Sequence, residues 1–195
     1  MRPVAHVVLT GRWVRLEPLS VEHAGLAEIV EGFAYLPEYP GDFDEWFARS
    51  RDSSDPLFFA AVVNGRAVGR AAIQRIDLPN GVAEIGHILW GPAMARTPAS
   101  TEAVFLLVDY LFGLGARRVE WKCNDRNEAS KAAALRFGFT FEGVFRQHMI
   151  VKGENRDTAW FSLLDREWVG RREVVRAWLE PSNFDETGRQ KARLR

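Results

Sequence analysis

The sequence has a single cysteine, Cys123, and only four histidines among its 195 residues. One cysteine cannot form an internal disulfide, which excludes a secreted fold that depends on disulfides. So few sulfur and imidazole side chains also argue against a structural zinc site. We therefore expect a protein that binds no metal.

Long apolar runs and an excess of one charge are also lacking. No apolar run approaches the roughly 18 residues that cross a bilayer, and the N-terminal region has no long apolar segment typical of a secretory signal. The 26 basic residues are balanced by 26 acidic residues, whereas nucleic-acid and anionic-membrane binders need a basic excess. We expect a cytoplasmic protein without nucleic-acid or membrane partners.

The first half of the chain consists of strands joined by turns. Residues 12–19 alternate as in a half-buried strand, and Ser20 is predicted to cap a helix that follows. A loop at 33–45 leads into a second short helix. Three consecutive antiparallel strands are then predicted at 57–63, 66–76 and 82–90. The first two flank Asn64-Gly65, a strong hairpin signal.

The second half alternates helices and strands. A helix at 97–113 connects the strand at 82–90 to one at 119–122, and a crossover helix of this kind favours parallel pairing. The remaining elements are a helix at 126–137, strands at 139–151 and 158–164, and a last helix capped by Asp165. This order predicts an α+β fold, with a mixed and mainly antiparallel central sheet of about seven strands flanked by helices. Its fourth and fifth strands form the parallel pair.

One domain is expected over residues 1–180, followed by a polar C-terminal tail at 181–195. The length and the hydrophobic fraction of 47% fit a single globular domain. The tail is rich in arginine and lysine and is expected to be mobile. Exposed strand edges at 139–164 would allow a homodimer.

The junction between the strand at 82–90 and the next helix has the features of an anion site. Thr97 is a typical N-cap and Pro98 a typical first helical residue. Free amides at a helix start attract anions, and a guanidinium just before the cap binds phosphate well. The predicted phosphate-binding residues are Arg96, Thr97, Ala99, Ser100 and Thr101. An ordinarily capped helix beside a solvated arginine is the alternative.

Several short motifs occur together in this chain. They are Ala83-Glu84-Ile85-Gly86-His87, the helix-opening Thr101-Glu102-Ala103, and Asn127-x-x-Ser130 followed by Arg136-x-Gly138-Phe139-x-x-Glu142-Gly143. Over roughly residues 11–165 the chain resembles the GNAT N-acyltransferase superfamily. The closest resemblance is to its ribosomal-protein alanine/serine N-acetyltransferase (RimJ/RimL-type) branch. The glycine-rich phosphate pattern of the family is altered here, since Ala95, Pro98 and Ser100 replace its usual residues.

The resemblance implies an acetyl-CoA-dependent N-acetyltransferase. The acceptor would be a primary amine, either a peptide N-terminus or a small amine, that attacks the thioester directly in a ternary complex. Glu84 is the implied general base and Ser130 the implied proton donor to the departing sulfur. The pantetheine arm of coenzyme A would bind Asn127 and pair with backbone like an added strand. That backbone is contributed by Ile88, Leu89 and Trp90.

Other residues compete for these roles. Glu84 could instead form a cross-strand salt bridge, for example with Arg70. His87 could be the base, but it shares a face with Glu84 only if Gly86 marks a bulge. His148 is a third candidate base, and Cys123 would permit a covalent acyl-cysteine route. Asn127 and Ser130 could simply belong to an ordinary helix start.

The sequence indicates the amine acceptor and the class of function less closely than it indicates the acyl donor. The loop at 37–45 contains aromatic residues and the acidic Glu38, Asp42, Asp44 and Glu45. Such a wall would favour a cationic acceptor, although the same residues could only cap a helix. Two alternative functions remain, a non-catalytic acyl-CoA-binding module and a phosphate-binding domain of unrelated chemistry.

Overall fold

The computed structural model describes residues 1–29, 33–36, 39 and 41–194. Within these residues eight strands form one sheet. The strands are β1 (Leu9–Thr10), β2 (Arg15–Pro18), β3 (Leu57–Val63), β4 (Arg66–Asp77), β5 (Val82–Trp90), β6 (Arg118–Asn124), β7 (Thr140–Val151) and β8 (Glu154–Leu164). The α-helices are α1 (Phe43–Arg51), α2 (Pro98–Gly113), α3 (Glu128–Phe137) and α4 (Asp165–Leu179).

The strands lie in the order β1-β2-β3-β4-β5-β6-β8-β7. Neighbouring strands are antiparallel except for β5 and β6. The predicted mixed α+β sheet is therefore confirmed. The strand count of about seven is one too low, because the two-residue β1 is too short to show a periodic pattern. The parallel pair is consequently formed by the fifth and sixth strands.

Ser20 is the N-cap of the segment that follows it, as predicted, and that segment is a 3-10 helix, Val21–Glu28. Gly25 in its centre lowers the α-helical propensity. The sequence predicts a helix that carries Leu26, Ile29 and Val30. Ile29 follows the 3-10 helix as its C-cap, whereas Val30 lies outside the described residues. At the start of α4 the N-cap is Leu164, and Asp165 is the first helical residue.

The sheet has a hydrophobic core on each face. One core is formed with α2, α3 and α4 and includes Phe59, Leu107, Trp121 and Val175. The other lies beneath α1 and the 3-10 helix. Glu102 of α2 fixes the N-terminal segment to the first core, because its carboxylate accepts bonds from three consecutive backbone amides, at 2.8, 2.6 and 3.0 Å.

The C-terminal tail packs against the domain, although the sequence predicts a mobile segment. Phe184 and Leu194 are buried in the first core, and Trp178 Nε1 of α4 donates to the Ala192 carbonyl at 3.0 Å. The two apolar side chains interrupt an otherwise polar run. Their burial supplies the free energy that holds the segment in place.

At the far side of the sheet β7 is an edge strand, paired with β8. Its side chains include the exposed Phe145 and Ile150, which are 53% and 80% accessible to solvent. A homodimer through this edge stays a prediction.

Candidate active site

Strands β5 and β6 are paired where they begin and separate toward their ends. The parallel pairs run from Val82–Arg118 to Ile85–Trp121. β5 then continues to Trp90 and β6 to Asn124, and over these fully described residues no further β5–β6 pair forms. The edge of β5 that faces β6 is therefore open to an extended ligand that pairs like a strand.

A β-bulge in β5 lies at the point of separation. Ala72 of β4 pairs with Gly86, but Arg70 pairs with Leu89, so β5 contains one extra residue. His87 in this bulge has a φ of +51°. Its carbonyl accepts a 3.1 Å hydrogen bond from Nη1 of Arg70. Because a bulge bends its strand and increases the twist, it accounts for the departure of β5 from β6.

A cavity of about 210 Å³ opens between the separated strands. It brings together Glu84, Ile88, Asn127 and Ser130 of the predicted site. It also reaches the alternative candidates His87, His148 and Cys123. Leu89 and Trp90 continue along β5, where the Leu89 side chain is buried and Trp90 packs against the first core. These last two residues can contribute only backbone groups to the opening.

The Glu84 carboxylate is buried and held by three polar side chains. Lys122 Nζ lies 2.7 Å from Oε2, Arg75 Nε lies 3.3 Å from the same oxygen, and Gln74 Nε2 donates to Oε1 at 2.8 Å. The cross-strand salt bridge given as the alternative is thus present, although with Lys122 and Arg75 rather than with Arg70.

Both histidines are placed within reach of the opening. The bulge places His87 on the same cavity as Glu84. A bulge near Gly86 was the condition for these two side chains to share a face. Burial, reinforced by the Arg70 cation, lowers the pKa of His87 to about 4, so the ring is neutral near pH 7. His148 Nδ1 lies 2.9 Å from Thr158 Oγ1, which orients its ring on β7.

Ser130 and Asn127 are held in place at the start of α3. The Asn127 Oδ1 accepts the backbone N–H of Ser130 at 3.0 Å, so Asn127 is the N-cap and keeps its side-chain NH₂ group for another partner. Trp121 Nε1 of β6 donates to Ser130 Oγ at 2.9 Å. A hydroxyl that accepts from the indole keeps its own proton for donation, as the predicted role of Ser130 requires.

Cys123 is buried beside Ser130. Burial raises the pKa of its thiol, and a hydrogen bond with Ser130 offsets only part of that shift. The thiolate is the nucleophilic form of cysteine, so this direction opposes the acyl-cysteine route.

The start of α2 has the predicted cap, but the hydroxyls of Thr97 and Ser100, which were predicted to bind phosphate, donate to backbone carbonyls. Thr97 is the N-cap and Pro98 the first residue, as predicted. Thr97 Oγ1 donates to the Met94 carbonyl at 2.7 Å, and Ser100 Oγ donates to the Thr97 carbonyl at 2.8 Å. With proline first, the amides of Ala99 and Ser100 are the ones that lack an intrahelical acceptor.

A second cavity, of about 800 Å³, lies against this helix start. Arg96, Thr97, Ser100 and Thr101 all line it. Arg96 has a φ of +63° and an exposed side chain. The Thr101 hydroxyl is buried and accepts a 3.1 Å bond from Arg136 Nη1. Arg96, Thr97 and Ser100 thus share one basic surface, whereas Ala99 and Thr101 are buried and Ala99 can supply only its amide.

The sequence profile of the Acetyltransferase (GNAT) domain matches residues 14–140. The chain belongs to the GNAT acetyltransferase family. This membership confirms the resemblance seen in the motifs around Glu84, Asn127 and Ser130.

Individual relatives agree with this family membership. A crystal structure of a GCN5-related N-acetyltransferase from Brucella melitensis is 47% identical with a TM-score of 0.93, and the match covers 98% of this chain and 94% of that one. The "Uncharacterized N-acetyltransferase p20" of Bacillus licheniformis is 37% identical over 108 residues, which are 53% of this chain and 58% of that protein.

The "Putative ribosomal N-acetyltransferase YdaF" of Bacillus subtilis (strain 168) is 33% identical over 110 residues. The match covers 56% of this chain and 60% of that protein. The chain therefore spans less than two thirds of the length of p20 and YdaF.

The acidic residues expected at the acceptor side of this GNAT domain have local roles. Asp42 caps α1 by accepting the Glu45 N–H at 2.8 Å, and Glu45 forms an ion pair with Arg49 one turn later. Asp44 lies in the first turn of the same helix, whereas Glu38 is outside the described residues. The capping interpretation is therefore the one that the structure favours for Asp42.

Several polar neighbours of the site were not predicted from the sequence. Glu84 and Glu120 are opposite each other in the parallel pair, and Lys122, two residues later, lies on the same face of β6. That alternation is the signal that could have identified Lys122. Arg136 stands in the motif quoted above and Trp121 on a predicted strand, but their partners Thr101 and Ser130 are too distant in sequence to be predicted.

The described part of the chain contains no helix that is both long and apolar enough to cross a bilayer. Its histidine, cysteine, aspartate and glutamate side chains nowhere form a group of three that could hold a metal ion.

Proposed function

We propose that this GNAT domain is an N-acetyltransferase that moves an acetyl group from acetyl-CoA to a primary amine by direct attack in a ternary complex. The observation that carries the proposal is the separation of β5 from β6 after Ile85–Trp121, beside Asn127 and Ser130. A slot between two parallel strands gives a thioester arm backbone partners on one side and side-chain donors on the other.

The chain has residues that fit the parts of such a donor. The open edge of β5 at Ile88, Leu89 and Trp90 would bind the amide-rich pantetheine arm, and the side-chain NH₂ group of Asn127 would add a donor. Arg96 and the amides of Ala99 and Ser100 would bind the diphosphate. Acetyl-CoA supplies the activated carbonyl carbon, and one backbone N–H of β5 would stabilise the charge that develops on its oxygen.

Proton transfer is assigned to Glu84 and Ser130. The acceptor nitrogen forms a bond to the acetyl carbon while the carbon–sulfur bond breaks, which releases an amide and a thiol. Glu84 would take the proton that the amine loses, directly or through a water molecule. Ser130 would donate to the departing sulfur, since Trp121 already occupies a lone pair of its hydroxyl oxygen.

For the acceptor we propose a peptide N-terminus or a small amine. The peptide alternative is supported by the ribosomal name of YdaF. The small-amine alternative is supported by the modest 210 Å³ of the cavity beside Glu84. We place the reaction in the cytoplasm, where the free thiol of Cys123 would stay reduced.

A panel of amine acceptors with acetyl-CoA tests the proposal, with thiol release and product mass as readouts. Wild-type protein is expected to acetylate at least one N-terminal peptide or small amine. Glu84→Gln and Ser130→Ala are expected to retain coenzyme A binding and lose most of the transfer rate. Binding of coenzyme A without transfer to any amine would favour the non-catalytic module. Tighter binding of ATP or NAD in calorimetry would favour the unrelated phosphate-binding domain.

A further inference from the structure

The C-terminal segment reaches the start of α2 and forms one wall of the 800 Å³ cavity there. Thr187, Gly188, Arg189, Gln190, Lys191 and Arg193 all line it. The first turn of α2 with Arg96 also lines this cavity, as does Arg136 of α3, whose Nη1 lies 3.1 Å from Thr101 Oγ1. Three segments that are far apart in sequence therefore enclose a single cavity.

The charged residues that line this cavity, among the described residues, are all cations. They are Arg96, Arg136, Arg189, Lys191 and Arg193. None of these five has a carboxylate within 4.0 Å in the part of the chain that the structure describes. Burial and the neighbouring Arg171 cation lower the pKa of Arg136. The cavity thus concentrates positive charge in a protein whose net charge is zero.

The basic segment is held at the cavity by its own packing. The backbone bridge Phe184–Gln190 closes a loop around Gly188, and the buried Phe184 and Leu194 anchor the two ends. Lys191 Nζ donates to the Ser182 carbonyl at 2.9 Å. These contacts keep three cations close to α2, at a smaller entropic cost on binding than a disordered tail would have.

We propose that residues 187–193, together with Arg136, bind the 3′-phosphate of the acyl-CoA donor. This inference depends on the proposed function. The site predicted from the sequence has only Arg96 as a cation, yet coenzyme A carries a ribose 3′-phosphate in addition to its diphosphate. A phosphomonoester bears about 1.5 to 2 negative charges near neutral pH. Arginine binds such a group with two parallel hydrogen bonds, and Arg189 and Arg193 line the same cavity as the start of α2.

Calorimetry with coenzyme A and 3′-dephospho-coenzyme A tests this inference. The two ligands differ by the 3′-phosphate alone. Wild-type protein is expected to bind coenzyme A at least about tenfold more tightly, since one charge-assisted hydrogen bond contributes on that order. The variant Arg189→Ala/Lys191→Ala/Arg193→Ala is expected to reduce this ratio to about twofold or less, while its affinity for dephospho-coenzyme A stays within about twofold.

Arg166→Ala is the matched control, because it removes an exposed arginine at the start of α4 that lies outside the cavity. It is expected to keep the wild-type ratio. Raising the salt concentration should reduce the ratio of the two affinities for wild-type protein. This measurement does not depend on whether any variant folds. Equal wild-type affinity for both ligands, or an unchanged ratio in the triple variant, would overturn the inference and leave the proposed function standing. Failure of wild-type protein to bind either ligand would reject both.

Discussion

Trp121 Nε1 donates a 2.9 Å hydrogen bond to Ser130 Oγ, which links β6 to the first turn of α3. Trp121 is the last residue of β6 that pairs with β5, so the bond fixes the Ser130 hydroxyl on the wall of the opening that begins there. Stacking of the Trp121 ring on Phe137 and its edge contact with Phe139 hold the indole itself. The orientation of the proposed proton donor therefore depends on a core aromatic residue.

Ser130→Ala is expected to lower kcat for acetyl transfer by about 100-fold, the usual contribution of general acid catalysis. The affinity for coenzyme A should change less than about threefold, because the proposed diphosphate contacts at α2 are untouched. Steady-state thiol release gives kcat, and calorimetry gives the affinity for coenzyme A. Ser54→Ala, in the exposed loop before β3, is the control and should match wild type. An equal loss of affinity and kcat in Ser130→Ala would contradict the assigned role.

His87→Gln is expected to leave the shape of the rate profile between about pH 5.5 and 8 unchanged. The folded His87 has a pKa of about 4, because burial and Arg70 disfavour its protonated form. It is therefore neutral throughout that range. The pH dependence of kcat/KM for acetyl transfer is the measurement. Removal of the acidic limb of the profile by this substitution would identify His87 as the base in place of Glu84.

The same histidine should affect stability at acidic pH. The unfolded chain takes up a proton at His87 near pH 6.5, whereas the folded chain does so only near pH 4. Lowering the pH through this window therefore favours the unfolded state. Between about pH 7 and 4.5, wild-type protein should lose more stability than His87→Gln in urea unfolding. Parallel losses for the two proteins would show that His87 is accessible to protons in the fold.

Glu142→Gln is expected to destabilise the protein by about 1 kcal/mol near pH 6. The pKa of Glu142 is lowered to about 2, first by its hydrogen bonds with Arg118, and this carboxylate also accepts the Ser162 hydroxyl at 2.6 Å. The side chain is 40% exposed, so solvent screening limits the effect to that size.

Because the folded pKa of Glu142 is depressed, its contribution is present above the ordinary value of 4.5 and is lost as the pH falls toward 2. The difference between Glu142→Gln and wild type should therefore shrink when urea unfolding is repeated near pH 3. A constant difference at both pH values would show that the ion pair is not its origin.

Glu102→Ala is expected to reduce the free energy of unfolding by about 3 kcal/mol, since three backbone amides lose their acceptor. These amides belong to Arg12, Trp13 and Val14, and the carboxylate is buried. Urea unfolding checks the value, with the exposed Glu186→Ala as control. A loss similar to that of the control would mean that water replaces the carboxylate.

The local elements could be predicted because their signals are short in range. Asn64-Gly65 forms the hairpin turn with both residues at positive φ. Thr97 begins the helix that it was expected to cap, and Asn127 caps α3, the alternative role given for it. The motifs that contain Glu84 and Ser130 also pointed to residues that the structure brings to one cavity. Strand β1, which was not predicted, and the 3-10 helix at Val21–Glu28 are short elements with weak hydrophobic periodicity.

The partners of each site residue could not be predicted in the same way. Lys122 beside Glu84, Trp121 beside Ser130, and the C-terminal segment beside α2 are contacts between elements whose relative positions depend on strand order and bulge placement. Neither of these follows from hydrophobic periodicity, which reports only the face of each element that is buried.

The sequence by itself determined the order of strands and helices, the capped helix starts and the family motifs, because turn chemistry and apolar periodicity act over a few residues. Only the tertiary structure decided that β5 leaves β6 at a bulge held by Arg70, and that the basic tail lines one cavity with the start of α2. Both outcomes depend on burial and charge interactions between distant segments, and those energies exist only once the chain has folded.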